Sequence, residues 1–166
     1  MRTLRFANEE IRCLGMPGID SPDTSRPSAR RVLRETSAPM TAAAIMVVVF
    51  LLAIIAFQLA LALGAPFGEA AWGGQHRGVL PTRLRIASGI AGTVLYPLII
   101  VVVLSSAGVI EADRFPVQGP AAMWALTALF AIGALANLVS RSKKERYWGP
   151  VVAVIAVGCA IVAATS

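Results

Sequence analysis

From Thr41 to Leu63 the chain carries no charged side chain. As a helix rising 1.5 Å per residue, this run reaches roughly 34 Å, enough to cross a hydrocarbon core of ~30 Å. Three further apolar stretches follow, at Ile86–Ile110, Pro120–Val139 and Gly149–Thr165. A hydrophobic content of 57% with mean hydropathy +0.72 exceeds the roughly 45–50% of soluble domains. The fold class expected is an all-α membrane protein. Its architecture is a four-helix transmembrane up-down bundle, because short connections return each helix beside the one before it.

Within the spans, polar and small residues mark contact faces. Gln58 lies near the end of the first span and Asn137 near the end of the third. Lipid offers their amides no partner, so both are expected to face the bundle interior. Pro97 should kink the second span. Ser88, Gly92 and Tyr96 share one face of it, a spacing that admits a close neighbour. Ala121, Ala125 and Ala128 form a similar stripe on the third span, and Ala153, Ala156 and Ala160 on the fourth. The fourth span, at about 16 residues, is marginal for a perpendicular crossing.

Residues 1–40 are polar, with seven arginines against five acids, and are read as a disordered basic tail. Residues 41–166 form the membrane domain. Met40 stands directly before the first span, and a start there would leave the tail untranslated. Cys13 in the tail and Cys159 in an apolar run occupy environments too different for a disulfide.

The first connection, Gly64–Arg85, reads GAPFGEAAWGGQHRGVLPTRLR and holds the only histidine, His76, with Glu69, Trp72, Gln75 and five glycines. Pro66 to Gly74 is expected to form a short interfacial or re-entrant helix, with Pro66 in its first turn and Gly73 or Gly74 as a left-handed stop. Glu69 and His76 are the candidates for acid–base work. Any nucleophile would have to be Ser88, Thr82 or water, and no nucleophile elbow accompanies them. One histidine does not make a zinc site, so neither metal nor cofactor is expected. Trp72, Gln75, His76, Arg83 and Arg85, with Gln58 and Asn137, make up a candidate interaction surface.

The run GAPFGEAAWGGQHRGVLPTRLR, followed by a Ser-Gly-containing helix and later by SRSKKERYWGP, resembles a group of small uncharacterised bacterial four-helix membrane proteins. These carry a Gly-Ala-Pro…Trp-Gly-Gly…His…Leu-Pro…Leu-Arg connection and a basic connection ahead of a Trp-Gly-Pro helix start. The resemblance covers residues 41–166. It implies a bacterial inner-membrane protein and carries no activity.

A formal charge of +6 and pI near 10.4 are met more simply by anionic lipid headgroups than by nucleic acid. No charge falls in the centre of a span, which removes the usual mark of a coupled transporter. Three function classes stay open. The first is a non-enzymatic protein that packs against itself or a membrane partner through the 64–85 connection. The second is a small enzyme acting on a lipid or small molecule through Glu69 and His76. The third is a subunit of an oligomeric channel or transporter.

For orientation, the first connection holds Arg77, Arg83 and Arg85, and the third holds Arg141, Lys143, Lys144 and Arg146, against Arg114 alone in the second. By the positive-inside rule the 64–85 and 141–148 connections are cytoplasmic, and they narrowly outscore the four tail arginines near the first span.

Overall fold

The computed structural model describes residues 29–111 and 117–166, with side chains from residue 38 onward. The tail as far as residue 28, Cys13 included, and Arg114 in the second connection lie outside the described residues. The chain divides into two units, Met1–Arg34 and Glu35–Ser166, and the second carries everything described below apart from the opening turns of the first helix.

Among the described residues the regular structure is helical: α1 (Ala29–Ala62), α2 (Thr82–Ser106), α3 (Pro120–Val139) and α4 (Lys143–Thr165). All four are long and apolar enough to cross a membrane, with Ala38–Ala62 as the apolar part of α1. α1 begins well ahead of Thr41, so the end of the expected disordered tail is helical. Its sequence there, ARRVLRETSA, is rich in good helix formers, and the helix continues through Pro39.

Helix ends follow backbone chemistry more closely than hydropathy. α1 and α2 stop in the same way, at Gly64 (φ 98°) and Gly108 (φ 65°). Ala65 N–H bonds back to the Ala60 carbonyl at 2.9 Å and Gly64 N–H to Leu61 at 3.1 Å, while Val109 N–H bonds to Leu104 at 2.9 Å and Gly108 N–H to Ser105 at 3.0 Å. Each pair satisfies carbonyls that a helix end would orphan, and glycine takes the left-handed position without a Cβ penalty. α2 therefore ends at Ser106, short of the expected Ile110, although the apolar run goes on. At its other end it starts at Thr82, directly after Pro81, rather than at Ile86.

Pro97 acts differently from a simple kink. The residues ahead of it, Ala91–Leu95, form a π turn, and α-helical geometry resumes at Tyr96. The wider turn accommodates a ring that lacks an N–H and would crowd the carbonyl four residues back. α3 has Pro120 in its first turn and matches its expected bounds. α4 is longer than expected: the turn Lys143–Arg146 precedes Trp148–Thr165, making 23 residues in all. Pro150 falls in the first turn of the longer piece, where its missing N–H costs little.

α4 is the central helix. Of its most apolar window 44% is buried, against 17% for α3. Val47 and Leu51 of α1, Val103 of α2, Met123 of α3 and Ile155, Cys159 and Val162 of α4 are fully buried in one cluster. Gly158 makes the α1–α4 crossing possible, since a Cβ there would overlap the Val47 side chain. Gly92 does the same between α2 and α1, facing Gln58 and Leu59 at 3.3 Å. The alanine stripe at 121, 125 and 128 takes no part in this packing: all three are exposed, and α3 turns Met123, Phe130 and Ala134 inward instead. On α4, Ala156 is buried and Ala153 and Ala160 half-buried.

Candidate functional site: a pinned lid over a polar cavity

The first connection is an ordered cap on one end of the bundle. The expected short helix is absent; in its place are two 3-10 turns, Gly68–Ala70 and Trp72–Gly74, separated by extended Ala71. Glycine at 68, 73 and 74 disfavours a continuous helix, and Gly73 and Gly74 both have positive φ (78° and 66°). Ala71 and Leu80 turn inward onto fully buried Leu61, with Phe57 and Leu84 beside them, so the segment has a small apolar footing of its own.

Polar contacts then fix it to the third connection, about seventy residues away in sequence. Glu145, only 7% exposed, accepts the Gly73 N–H on Oε1 at 2.9 Å and the Ser140 hydroxyl on Oε2. Ser142 donates its hydroxyl to the Glu69 carbonyl. Lys144 Nζ lies 2.7 Å from Glu69 Oε2, and Arg77 Nε 3.9 Å from Oε1. The hydrogen-bonded Lys144 ammonium holds the Glu69 carboxyl below its ordinary pKa, with a smaller pull from Arg77. Closeness is the condition for this docking: a Cβ on Gly74 would overlap that of Ser142.

Trp72 holds the lid's other side. Its indole N–H donates to the Ser88 hydroxyl at 3.1 Å, and its backbone sits at φ 53°, a left-handed conformation unusual for so large a side chain. Such a position costs of order 1–3 kcal/mol and persists only where surrounding contacts over-determine it. Arg85 stands at the root of the lid, its Nε donating to the Ala62 carbonyl at 3.1 Å. It thereby caps the end of α1, a more specific role than general lipid anchoring. Arg83, Gln75 and Arg77 are exposed, and His76 is half-buried.

Beneath the lid is a cavity of about 240 Å³ whose lining includes Gln58, Tyr96, Asn137, Glu145, Trp72 and Trp148. Gln58 and Asn137 thus line it from different helices. The Gln58 Oε1 atom is buried and has no hydrogen-bond partner. The Phe57 and Trp148 rings lie 4.7 Å apart at 41°.

The expected acid–base pair is not assembled. Glu69 is engaged by Lys144 and Arg77, and among the described residues neither a hydrogen bond nor an ion pair joins it to His76. Ser88 is fully buried and receives the Trp72 N–H. No group of three His, Cys, Asp or Glu that could hold a metal occurs among the described residues. The residue that organises this end, Glu145, was not singled out by its composition or by any long motif. A local signal existed: Ser142-Lys-Lys-Glu145 ahead of an apolar run matches the capping-box pattern. The structure uses those side chains otherwise, turning Ser142 and Glu145 outward from the helix start to grip the lid.

Compared with protein-family models, curated proteins and solved structures, the chain gives no match.

Proposed function

We propose that the chain is a multi-pass bacterial inner-membrane protein, its four helices crossing up and down, that acts without catalysis by binding a membrane partner through the lid. The partner is a second copy or another protein. Kinship with the bacterial four-helix proteins named above belongs to the same reading. The observation that carries it is the lid's state. Its inner side is spent on Glu145, Ser142, Lys144 and Ser88, while Phe67 and Val79 remain 53% and 51% exposed. A surface already ordered in this way loses little further entropy on binding. Membrane insertion is supported by exposed Val49, Leu52, Val94, Leu98, Ile132 and Leu135, an apolar surface that water-soluble monomers rarely present.

The lid and the basic connection are joined at one end, as an up-down arrangement requires of the first and third connections. The Lys and Arg residues of these two connections support a cytoplasmic position for that end by the positive-inside rule. A reporter active only outside the cytoplasm, fused after Ser166, should be active; an inactive fusion beside an active cytoplasmic reporter refutes the orientation. For partner binding, a photo-crosslinking residue is placed at Gln75 or Val79, and at Val94 as the lipid-facing control, in native membranes. The lid positions should give a discrete protein adduct and Val94 lipid adducts only. Absence of a lid adduct at normal expression overturns the reading.

A further inference from the structure

The cavity under the lid has a chemistry that partner binding does not use. Glu145, a residue only 7% exposed, is among those that line it. Among the described residues no lysine, arginine or histidine forms an ion pair with Glu145: Lys144 and Arg77 turn to Glu69, and Arg146 Nε donates to the Ser140 carbonyl at 2.7 Å. The two hydrogen bonds it accepts, from Gly73 N–H and the Ser140 hydroxyl, come from neutral groups. A carboxylate buried in this way is stabilised in its ionised form by a nearby cation.

The rest of the lining agrees with that sign. Trp72, Tyr96 and Trp148 contribute aromatic rings, whose faces attract cations. Gln58 and Asn137 add amides to the lining, and no basic side chain lines the space. One carboxylate with amides is too poor a ligand set for a divalent metal, which takes several oxygen ligands. An organic ammonium, with diffuse charge and a small apolar body, suits one carboxylate and aromatic walls. The Glu145 carboxylate accepts two hydrogen bonds and has lone-pair sites for more, which the N–H groups of a primary ammonium can fill and a quaternary one cannot. At about 240 Å³ the space lies below the usual ~300–1,000 Å³ of drug-sized sites, so the ligand is the size of a lipid headgroup.

We infer that the cavity beneath the lid binds a primary ammonium of headgroup size, with Glu145 as both counter-charge and hydrogen-bond acceptor. The source is either an aminophospholipid headgroup or a free amine. This inference is independent of what the lid's outer surface binds.

The test uses the full chain in nanodiscs of phosphatidylglycerol, with Trp124→Phe, so that emission reports Trp72 and Trp148. Propylammonium should change the emission saturably, and uncharged propanol and tetramethylammonium should bind at least tenfold more weakly. Glu145→Gln leaves an acceptor for Gly73 N–H but removes the charge, and should weaken propylammonium binding at least tenfold. Equal affinity for propylammonium and propanol overturns the inference, as does the absence of a saturable response. Should Glu145→Gln fail to fold, the comparison of probes on the unsubstituted site decides alone. Adding phosphatidylethanolamine to the nanodiscs separates the sources: competition with propylammonium identifies the lipid headgroup, and unchanged binding identifies a free amine.

Discussion

The middle of the bundle and its lidded end are held together by different physics. In the middle, fully buried Val47, Leu51, Val103, Ile155 and Val162 meet without a polar contact between them, and the helices approach closely where Gly158 and Gly92 remove side chains. For such helices placed in lipid, as proposed, the hydrophobic effect gives little and close van der Waals contact supplies the cohesion. At the end, a segment with a small apolar footing is held by directed hydrogen bonds and one ion pair. Packing of the first kind fails steeply when a volume is wrong. Attachment of the second kind fails locally, and in proportion to how buried the lost contact is.

Two glutamates make the same contrast at the lidded end. Glu145 is buried and bonded to backbone and hydroxyl groups, whereas Glu69 keeps a third of its side chain exposed and pairs with exposed Lys144 and Arg77. Both fasten the same segment to the same connection. Burial sets how much each matters, because solvent screens the second pair and replaces its partners when they are lost.

The largest effect should come from the middle. Gly158→Leu forces a side chain into the space of Val47 and should cost about 3 kcal/mol or more, read as a loss of folded protein in detergent unfolding. A smaller loss than that of any lid variant would reverse the comparison. Next comes Glu145→Ala, which strands the Gly73 N–H and the Ser140 hydroxyl. It should cost about 2 kcal/mol, with amide exchange accelerated at Gly73 and Gly74 and unchanged in the middle of α4. Uniform acceleration would mean that the lid and the bundle are one cooperative unit.

Gly74→Ala should cost about 1–2 kcal/mol, since alanine would have to hold φ 66° and its Cβ would meet Ser142. The expected readout is greater quenching of Trp72 by aqueous acrylamide, with an unchanged melting temperature of the bundle. Smallest is Glu69→Gln, whose effect should appear only in pH dependence. The folded-state pKa of Glu69 is lowered from 4.5, first by Lys144. Its pair therefore contributes fully above the ordinary glutamate value and is lost as pH falls through the lowered folded one. Lid protection factors of the unsubstituted protein, taken relative to intrinsic exchange at each pH, should fall over that acid window, and those of the glutamine variant should stay flat across it. A parallel fall in both would assign the acid response to another group.

The four apolar helices could be read from residues 41–165 alone, because hydropathy over twenty contiguous residues needs no knowledge of neighbours. Pro120 at a helix start and the placement of Gln58 and Asn137 on the interior side were legible for similarly local reasons. Gly64 and Gly108 as stops are local signals too, but at Gly108 they were masked by valine and isoleucine continuing the apolar run.

What tertiary structure alone decided was the use of each polar side chain. Glu69 and His76 lie close in sequence and look like a pair, yet Glu69 bonds to Lys144. Glu145, in a run of basic residues, looks like a solvated charge, yet it is buried against Gly73. The alanines at 121, 125 and 128 share a helix face that the rotation of α3 turns outward. Hydropathy is a sum over neighbours in the chain and so is fixed by the chain. Which acceptor an N–H or ammonium finds depends on helix rotation and on loops docking across some seventy residues of sequence, and those are settled only when the whole bundle packs.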